Sequence, residues 1–405
     1  MKEKFKIGVL KETKNPPDKR VVLPPKQAVE LLKKYPKFEL IIQPSELRCY
    51  DDKEYSDLGL TLSDDLSQCD LLAGVKEVDI PALIPNKQYL FFSHTAKKQP
   101  YNRKLLQEII AKKITLLDHE YLTDKNNFRL VAFGRWAGIV GAYNGLVAYG
   151  LRSGLFKMKR AHECYDMDDF FAELNKVKLP AIKILITGGG RVAQGAMETI
   201  EPLNLKKVTP QDFLSKTYDE AVFCQIDPWN YTKRKNGEPF DLEHFFRNPS
   251  EYESTFLPYT KVTDMFIACH FWDEKSPVFM TKDDMRADDF KIGVIADVSC
   301  DIDGPIPSTI RSSTIAEPFY GYNTFSEKED DPFNKKNICV MAVDNLPGEA
   351  PRNASVDFSE GLIEKVFPAF INGDIEGIAD RATIVKNGEL AEKYSYLSDF
   401  AAGKE

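Results

Sequence analysis

Residues 181 to 200, AIKILITGGGRVAQGAMETI, constrain this chain more than any other stretch. The apolar run Ile182, Ile184, Leu185 and Ile186 stops at Gly188-Gly189-Gly190, and a helical pattern resumes through Gly195, Met197 and Ile200. The order is strand, tight turn, helix. Gly188 can take the positive φ such a turn demands, Gly190 lets a pyrophosphate approach the backbone, and Ala193 is small enough for the helix to lie on the strand. Phosphate would sit on the unpaired N–H groups at the helix start. The pattern predicts a dinucleotide site; the competing reading is a glycine-rich turn that binds nothing.

An acidic residue that holds the adenine ribose of NAD is expected about 20 positions on, where the next strand ends. That strand is read at Lys206 to Thr209, and it runs into Pro210-Gln211-Asp212. Asp212 fits poorly past a proline, and no arginine is placed to receive a 2′-phosphate. NAD and NADP both stay open.

A chain of 405 residues exceeds one ordinary core and implies two domains. Hydrophobic content of 43% with 29% charge belongs to a globular chain, not a disordered one. The net charge of −8 argues against nucleic acid as a partner, since no cationic excess displaces phosphate counterions. The start, MKEKFKIGVL, lacks the apolar core of an export signal, and the longest uncharged run, Trp136 to Leu151, is shorter than the ~20 residues of a membrane span. That run, rich in glycine, reads as a buried helix connecting two domains. Seven scattered cysteines, never spaced C-x-x-C, indicate neither zinc nor a disulfide framework, so a cytoplasmic location is expected. Asp297 and Asp301 lack a histidine or cysteine partner at ligand spacing, so no metal is expected.

Short apolar runs alternate with helical segments throughout, the α/β signature. Strands are read at Phe5 to Leu10, Phe38 to Ile42, Asp70 to Val75, Tyr89 to Phe92 and Ile114 to Leu117, then at Met265 to Ala268, Ile292 to Ala296 and Ile338 to Val343. Several stop abruptly at reactive residues: Lys76-Glu77, Ser93-His94, Asp118-His119-Glu120, Cys269-His270 and Asp297 to Asp301. In doubly wound sheets such carboxyl ends line the ligand crevice. The expected fold is α/β, two Rossmann-like doubly wound domains with a cleft between them. One domain takes 1–133 plus about 345–405, with helical patterns at 355–370 and 377–394. The other, dinucleotide-binding, takes 134–344. Its aromatic and acidic stretch at 210–263 reads as an insertion, either a helical lid or a surface excursion.

These motifs together resemble the lysine-forming saccharopine dehydrogenases and the lysine-ketoglutarate reductase domain, which share a fold with alanine dehydrogenase and the N-terminal part of transhydrogenase. The resemblance rests on KETK with Arg20, AGVKE at 73–77, FFSHTAKKQ at 91–99, VAFGRWAGIVGA at 131–142, the glycine turn, ADVSCDIDGPI at 296–306 and VDNLPGEAPRNAS at 343–355. It implies NAD- or NADP-linked interconversion of saccharopine with L-lysine and 2-oxoglutarate. By the same resemblance Lys76 and His94 are the acid-base pair, and Lys14, Arg20, Glu77, Lys97, Glu120 and Phe133 surround the substrate. Gly188, Gly190, Arg191, Val192, His270, Phe271, Asp301 and Leu346 match cofactor contacts. It implies a small-molecule partner and no membrane, and allows a homo-oligomer.

The chemistry asks for such groups. Forming and reducing an imine moves protons at each stage. His94 titrates near neutrality, whereas Lys76 needs burial or neighbouring cations to act as a base. From the residues alone, Lys76 reads equally well as a surface lysine paired with Glu77, and Glu77 and Glu120 as solvated acids. An alanine dehydrogenase, another opine-type dehydrogenase and a non-catalytic dinucleotide sensor are the alternatives.

Overall fold

The computed structural model describes residues 4–404, which fall into two compact units, one running to Phe133 and resuming at Pro351, the other spanning Gly134–Ala350. Among the described residues each unit is built on an eight-stranded sheet.

In the first unit six parallel strands lie in the spatial order Thr61–Leu62, Phe38–Ile42, Phe5–Val9, Leu71–Ala73, Gln88–Phe91, Thr115–Asp118. This is a doubly wound sheet, with its switch point between Phe5–Val9 and Leu71–Ala73. The inner strands are apolar on both faces because helices cover both. Leu71, Leu72, Ala73, Leu90 and Phe91 have no exposed surface. The returning segment contributes Phe358, Leu362, Val366 and Phe367 to the same core as Ile7 and Val9. The expected helical pattern at 377–394 is mostly not helix. After Ile378–Ala382, Thr383–Lys386 adds an antiparallel strand beside Thr115–Asp118, with Glu389–Leu390 at the edge beyond it, because the run Thr383, Ile384, Val385 is β-branched and fits a pleated sheet.

The second unit runs Lys206–Lys207, Val222–Ile226, Lys183–Thr187, Met265–Ala268, Val294–Asp297, Ile338–Met341 in parallel, with Phe319–Asn323 and Lys328–Asp330 antiparallel at the far edge. The 210–263 stretch is therefore only partly an insertion. Its Val222–Ile226 segment is a core strand in register with Lys183–Thr187, and the excursion proper is the short hairpin of Thr232–Arg234 with Tyr252–Ser254 and its aromatic packing. Two exposed lysines cannot occupy an inner position, so Lys206–Lys207 takes the edge and the apolar Val222–Ile226 slots inside.

The helix Gly134–Ser153, expected as a connector, belongs to the core of the second unit. It crosses the helix Arg191–Ile200 at backbone contact. A Cβ on Gly138 would overlap the Val192 carbonyl, and one on Gly195 would overlap that of Arg135. Glycine weakens a helix by ~1 kcal/mol, which close packing here offsets. Among the described residues no helix is long and apolar enough to cross a membrane.

Gly138→Val should force these helices apart and destabilise the second unit by about 3 kcal/mol or more, read as a lower denaturation midpoint. An unchanged midpoint would contradict the crossing.

Candidate functional site

The reactive residues of the first unit sit just past the carboxyl ends of three neighbouring strands. Beyond Leu71–Ala73 the ladder continues for two residues, through Gly74 N–H to Leu90 O (3.0 Å) and Phe92 N–H to Val75 O (3.0 Å). Lys76 and Ser93 then leave the sheet. A carboxylate receives each departing backbone. Glu12 accepts from the N–H groups of Val75 (2.6 Å) and Lys76 (2.8 Å). Desolvation pushes its carboxyl up to about 8 even though those two bonds pull it down. Asp118, with no exposed surface, accepts from the N–H groups of Ser93 (2.9 Å), His94 (3.2 Å) and Glu120 (2.8 Å). The next residue, His119, is equally buried; its Nε2 lies 2.9 Å from Gly74 O, and burial pushes its imidazole down to about 4.

Glu77 joins the charged groups. Its Oε1 lies 2.7 Å from His94 Nδ1 and its Oε2 accepts from Lys14 Nζ at 3.2 Å. Burial alone would raise this carboxyl, but the His94 bond and the Lys14 charge outweigh it and hold it near 2. Lys76 is shifted down from the ordinary lysine value. Burial is the main cause, Arg20 and Lys14 add to it, and Asp18 and Glu77 oppose it without cancelling it. Glu77 lies past the strand end, on His94 and Lys14.

Arg20, one of the residues expected around the substrate, is buried. It is 2% exposed, its Nε and Nη2 fork onto Asp18 at 3.0 and 2.6 Å, and its guanidinium lies 4.2 Å from the Phe133 ring centroid. Burial works to raise Asp18, but the fork prevails and holds it well below the usual carboxylate range. Phe133 in turn stacks on Phe358 with centroids 4.3 Å apart. Glu120 pairs with Lys97 at 3.0 Å and lies 3.7 Å from Arg129. Lys14, Arg20, Lys76, Glu77 and His94 thus share one local network, with Lys97 and Glu120 beside the same exits.

In the second unit Gly188 has φ of +94°, and a Cβ there would strike the Cys269 carbonyl. Gly190 has nothing within 4 Å of a built Cβ, so its backbone is open to a ligand. Arg191 and Val192 begin the helix, and Ala193 is fully buried against the sheet. The residue that sequence reasoning missed is Asp227. It follows Val222–Ile226, the strand beside the turn, and its carboxylate crowds the Cβ position of Gly189. Gln225 Nε2 donates to Asp227 Oδ2 at 2.9 Å and to Gly188 O at 3.0 Å. Asp227 stands at the strand end where a ribose-binding acid is expected, and Asp212 does not, since it lies in the helix Pro210–Ser215, paired with Lys216. The apolar run AVFCQI ending in an acid was the available signal. A glycine turn, an open helix start and an acid at the adjoining strand end fit a nicotinamide dinucleotide.

The other cofactor candidates occupy neighbouring exits of that sheet. His270 is buried, 2.9 Å from Thr187 Oγ1 and packed at a tilt against Phe279, and burial pushes it down to about 3. Phe271 is 80% exposed, whereas Leu346 is buried. Asp301 lines an open recess of about 780 Å³ with Trp272, Cys300 and Asp303; burial, then the Asp297 charge, push its carboxyl up to about 6.

Residues 8–140 match the model of the alanine dehydrogenase/PNT N-terminal domain. The chain is 27% identical to alpha-aminoadipic semialdehyde synthase of Arabidopsis thaliana over 96% of its own length and 41% of that protein's. It is also 27% identical to the NAD(+)-dependent, L-lysine-forming saccharopine dehydrogenase of Yarrowia lipolytica, covering 88% of this chain and 90% of that one. Its fold matches an L-alanine dehydrogenase structure at a TM-score of 0.67, with 16% identity over 98% of this chain and all of the other. The chain is thus similar to the saccharopine dehydrogenases over most of its length, carries a match to the alanine dehydrogenase/PNT N-terminal domain over residues 8–140, and has the fold of an alanine dehydrogenase. It spans less than half the length of the semialdehyde synthases it matches.

Because the fold lowers the Lys76 pKa, its protonated form costs stability once the pH falls below the ordinary value of 10.5. The cost is complete below the folded value. Lys76→Met should therefore raise unfolding stability near neutral pH by about 1 kcal/mol, with the gain fading toward high pH. A loss of stability at neutral pH would contradict the shift.

Proposed function

We propose that this chain is a nicotinamide-dinucleotide oxidoreductase that interconverts saccharopine with L-lysine and 2-oxoglutarate. The observation that carries the reading is Lys76, a lysine whose ammonium is disfavoured by burial and by two cations, next to a histidine fixed on Glu77. A dinucleotide sensor has no need of that pair. The relatives' names agree, since those of both kinds act in saccharopine or aminoadipic semialdehyde chemistry.

Oxidation of the secondary amine removes hydride from its carbon and a proton from its nitrogen; water then adds to the C=N bond, and the C–N bond breaks to give lysine and the keto acid. A nicotinamide dinucleotide held at the Gly188–Gly190 turn and by Asp227 would supply the hydride acceptor, or the donor in reverse. Neutral Lys76 accepts the amine proton. With Nδ1 on Glu77, His94 presents Nε2 to the water that adds to the imine. Saccharopine carries three carboxylates. Lys14 and Lys97, over a third exposed and each resting on a glutamate, are the cations a carboxylate can take over. Arg20, buried on Asp18, supports them through its field and lowers Lys76 rather than forking onto substrate. Asp227 suits the free ribose hydroxyls of NAD and repels a 2′-phosphate.

Three assays test this. With lysine plus 2-oxoglutarate the protein should oxidise NADH, with kcat/KM at least about tenfold above that for NADPH. Turnover of pyruvate plus ammonia instead would make it an alanine dehydrogenase, and no turnover with any pair would favour the sensor. Asp227→Ala should raise the KM for NADH about tenfold and narrow the preference. Lys76→Met and His94→Gln should each slow turnover on the order of a hundredfold while leaving nucleotide affinity nearly intact; full activity in both would remove the acid-base assignment.

A further inference from the structure

Asp118 is a carboxylate without an assigned task, and its surroundings give it one. It is wholly buried, and its two oxygens receive four donors. Oδ2 takes the Ser93 N–H at 2.9 Å, the Ser93 hydroxyl at 2.6 Å and the His94 N–H at 3.2 Å; Oδ1 takes the Glu120 N–H at 2.8 Å. Three of the four lie on the two residues where the Gln88–Phe91 strand gives way to the loop bearing His94.

That loop needs holding. His94 has φ of +52° and ψ of 12°, the left-handed region where a side chain crowds its own backbone. Such a conformation persists only where the surroundings enforce it. It also decides where the imidazole goes, and here Nδ1 sits 2.7 Å from Glu77 Oε1. A histidine in extended backbone would direct its ring elsewhere. Ser93 reinforces the grip, because its hydroxyl lies 2.9 Å from Thr95 Oγ1 as well as on Asp118.

We propose that Asp118 is a positioning residue for proton transfer. It locks the backbone of Ser93 and His94 so that the His94 ring stays on Glu77 through Nδ1, with Nε2 as the nitrogen that exchanges protons. The proposal rests on the acid-base role given to His94 above. A carboxylate has lone pairs for all four donors, and the bonds from Ser93 and Glu120 work against the burial that pushes its carboxyl up, whereas an amide of the same shape has one accepting oxygen and an NH₂ that itself donates. Asp118→Asn therefore keeps the volume and breaks part of the grip.

The test is a double-mutant cycle combined with imidazole ¹⁵N NMR on the full chain. Asp118→Asn should lower kcat by about tenfold to a hundredfold with little change in nucleotide KM. In the His94→Gln background the same change should cost less than about threefold, since a residue acting through His94 has nothing left to position. An equal loss in both backgrounds overturns the proposal. If Asp118→Asn does not fold, Ser93→Ala removes a single donor and must show a smaller loss that likewise vanishes with His94→Gln. The NMR arm needs no substrate. Wild-type His94 should appear as the Nδ1-protonated tautomer bonded to Glu77, and Asp118→Asn should lose that signature; a signature unchanged in the variant overturns the proposal whatever the protein turns over.

Discussion

A parallel sheet sends every strand out at the same edge, and each departing chain leaves backbone N–H groups beyond the last ladder bond. In this protein buried or half-buried carboxylates receive them. Glu12 takes Val75 and Lys76, Asp118 takes Ser93 and His94, and in the other sheet Asp297 takes Ser299 and Cys300 at 3.1 Å each while Thr309 donates to its second oxygen. An unpaired buried N–H costs about 1–3 kcal/mol, so these acids fix where each exit bends as well as satisfying it. The side chains that follow, Lys76, His94 and Asp301, inherit their positions from that bend.

The same acids set the electrostatics. Buried or half-buried carboxylates need cations or donors, and the chain supplies them in pairs: Asp18 with Arg20, Glu77 with Lys14 and His94, Glu120 with Lys97. Among the described residues Lys76 has no such paired carboxylate to itself. It lies among cations already committed to other acids, so its proton is held loosely. A lysine of that kind gives up its proton at a lower pH than an ordinary surface lysine does. Chemistry and folding pull against each other here, as they commonly do where a fold keeps an uncomfortable charge for use.

Much of this was readable from the chain. The Gly188 turn is legible because a positive φ and a close carbonyl leave glycine as the one fitting residue, and strand exits ending in Lys76 and His94 are legible because apolar runs stop there sharply. Asp227 was not. Fingerprint spacing assumes that the strand following the helix lies beside the turn, whereas here the chain visits the edge at Lys206–Lys207 first and returns inside at Val222–Ile226. The burial of Arg20 was not legible, because its partner, two residues away, is recognisable only once both are buried. Asp118 was invisible for a similar reason: nothing in the letters DHE distinguishes a solvated acid from one that holds a left-handed histidine. The strand Thr383–Lys386 was hidden within a helical pattern because its place is set by an edge of the sheet completed far earlier in the chain.

The account stands on the loosely held proton of Lys76. Its side-chain titration, followed by NMR of isotope-labelled lysine with the signal assigned through Lys76→Met, measures that directly. The structure predicts a midpoint clearly below the ordinary lysine value of 10.5. A midpoint at or above that value would mean that Lys76 is a spectator cation, and the proton-transfer site would have to be sought elsewhere.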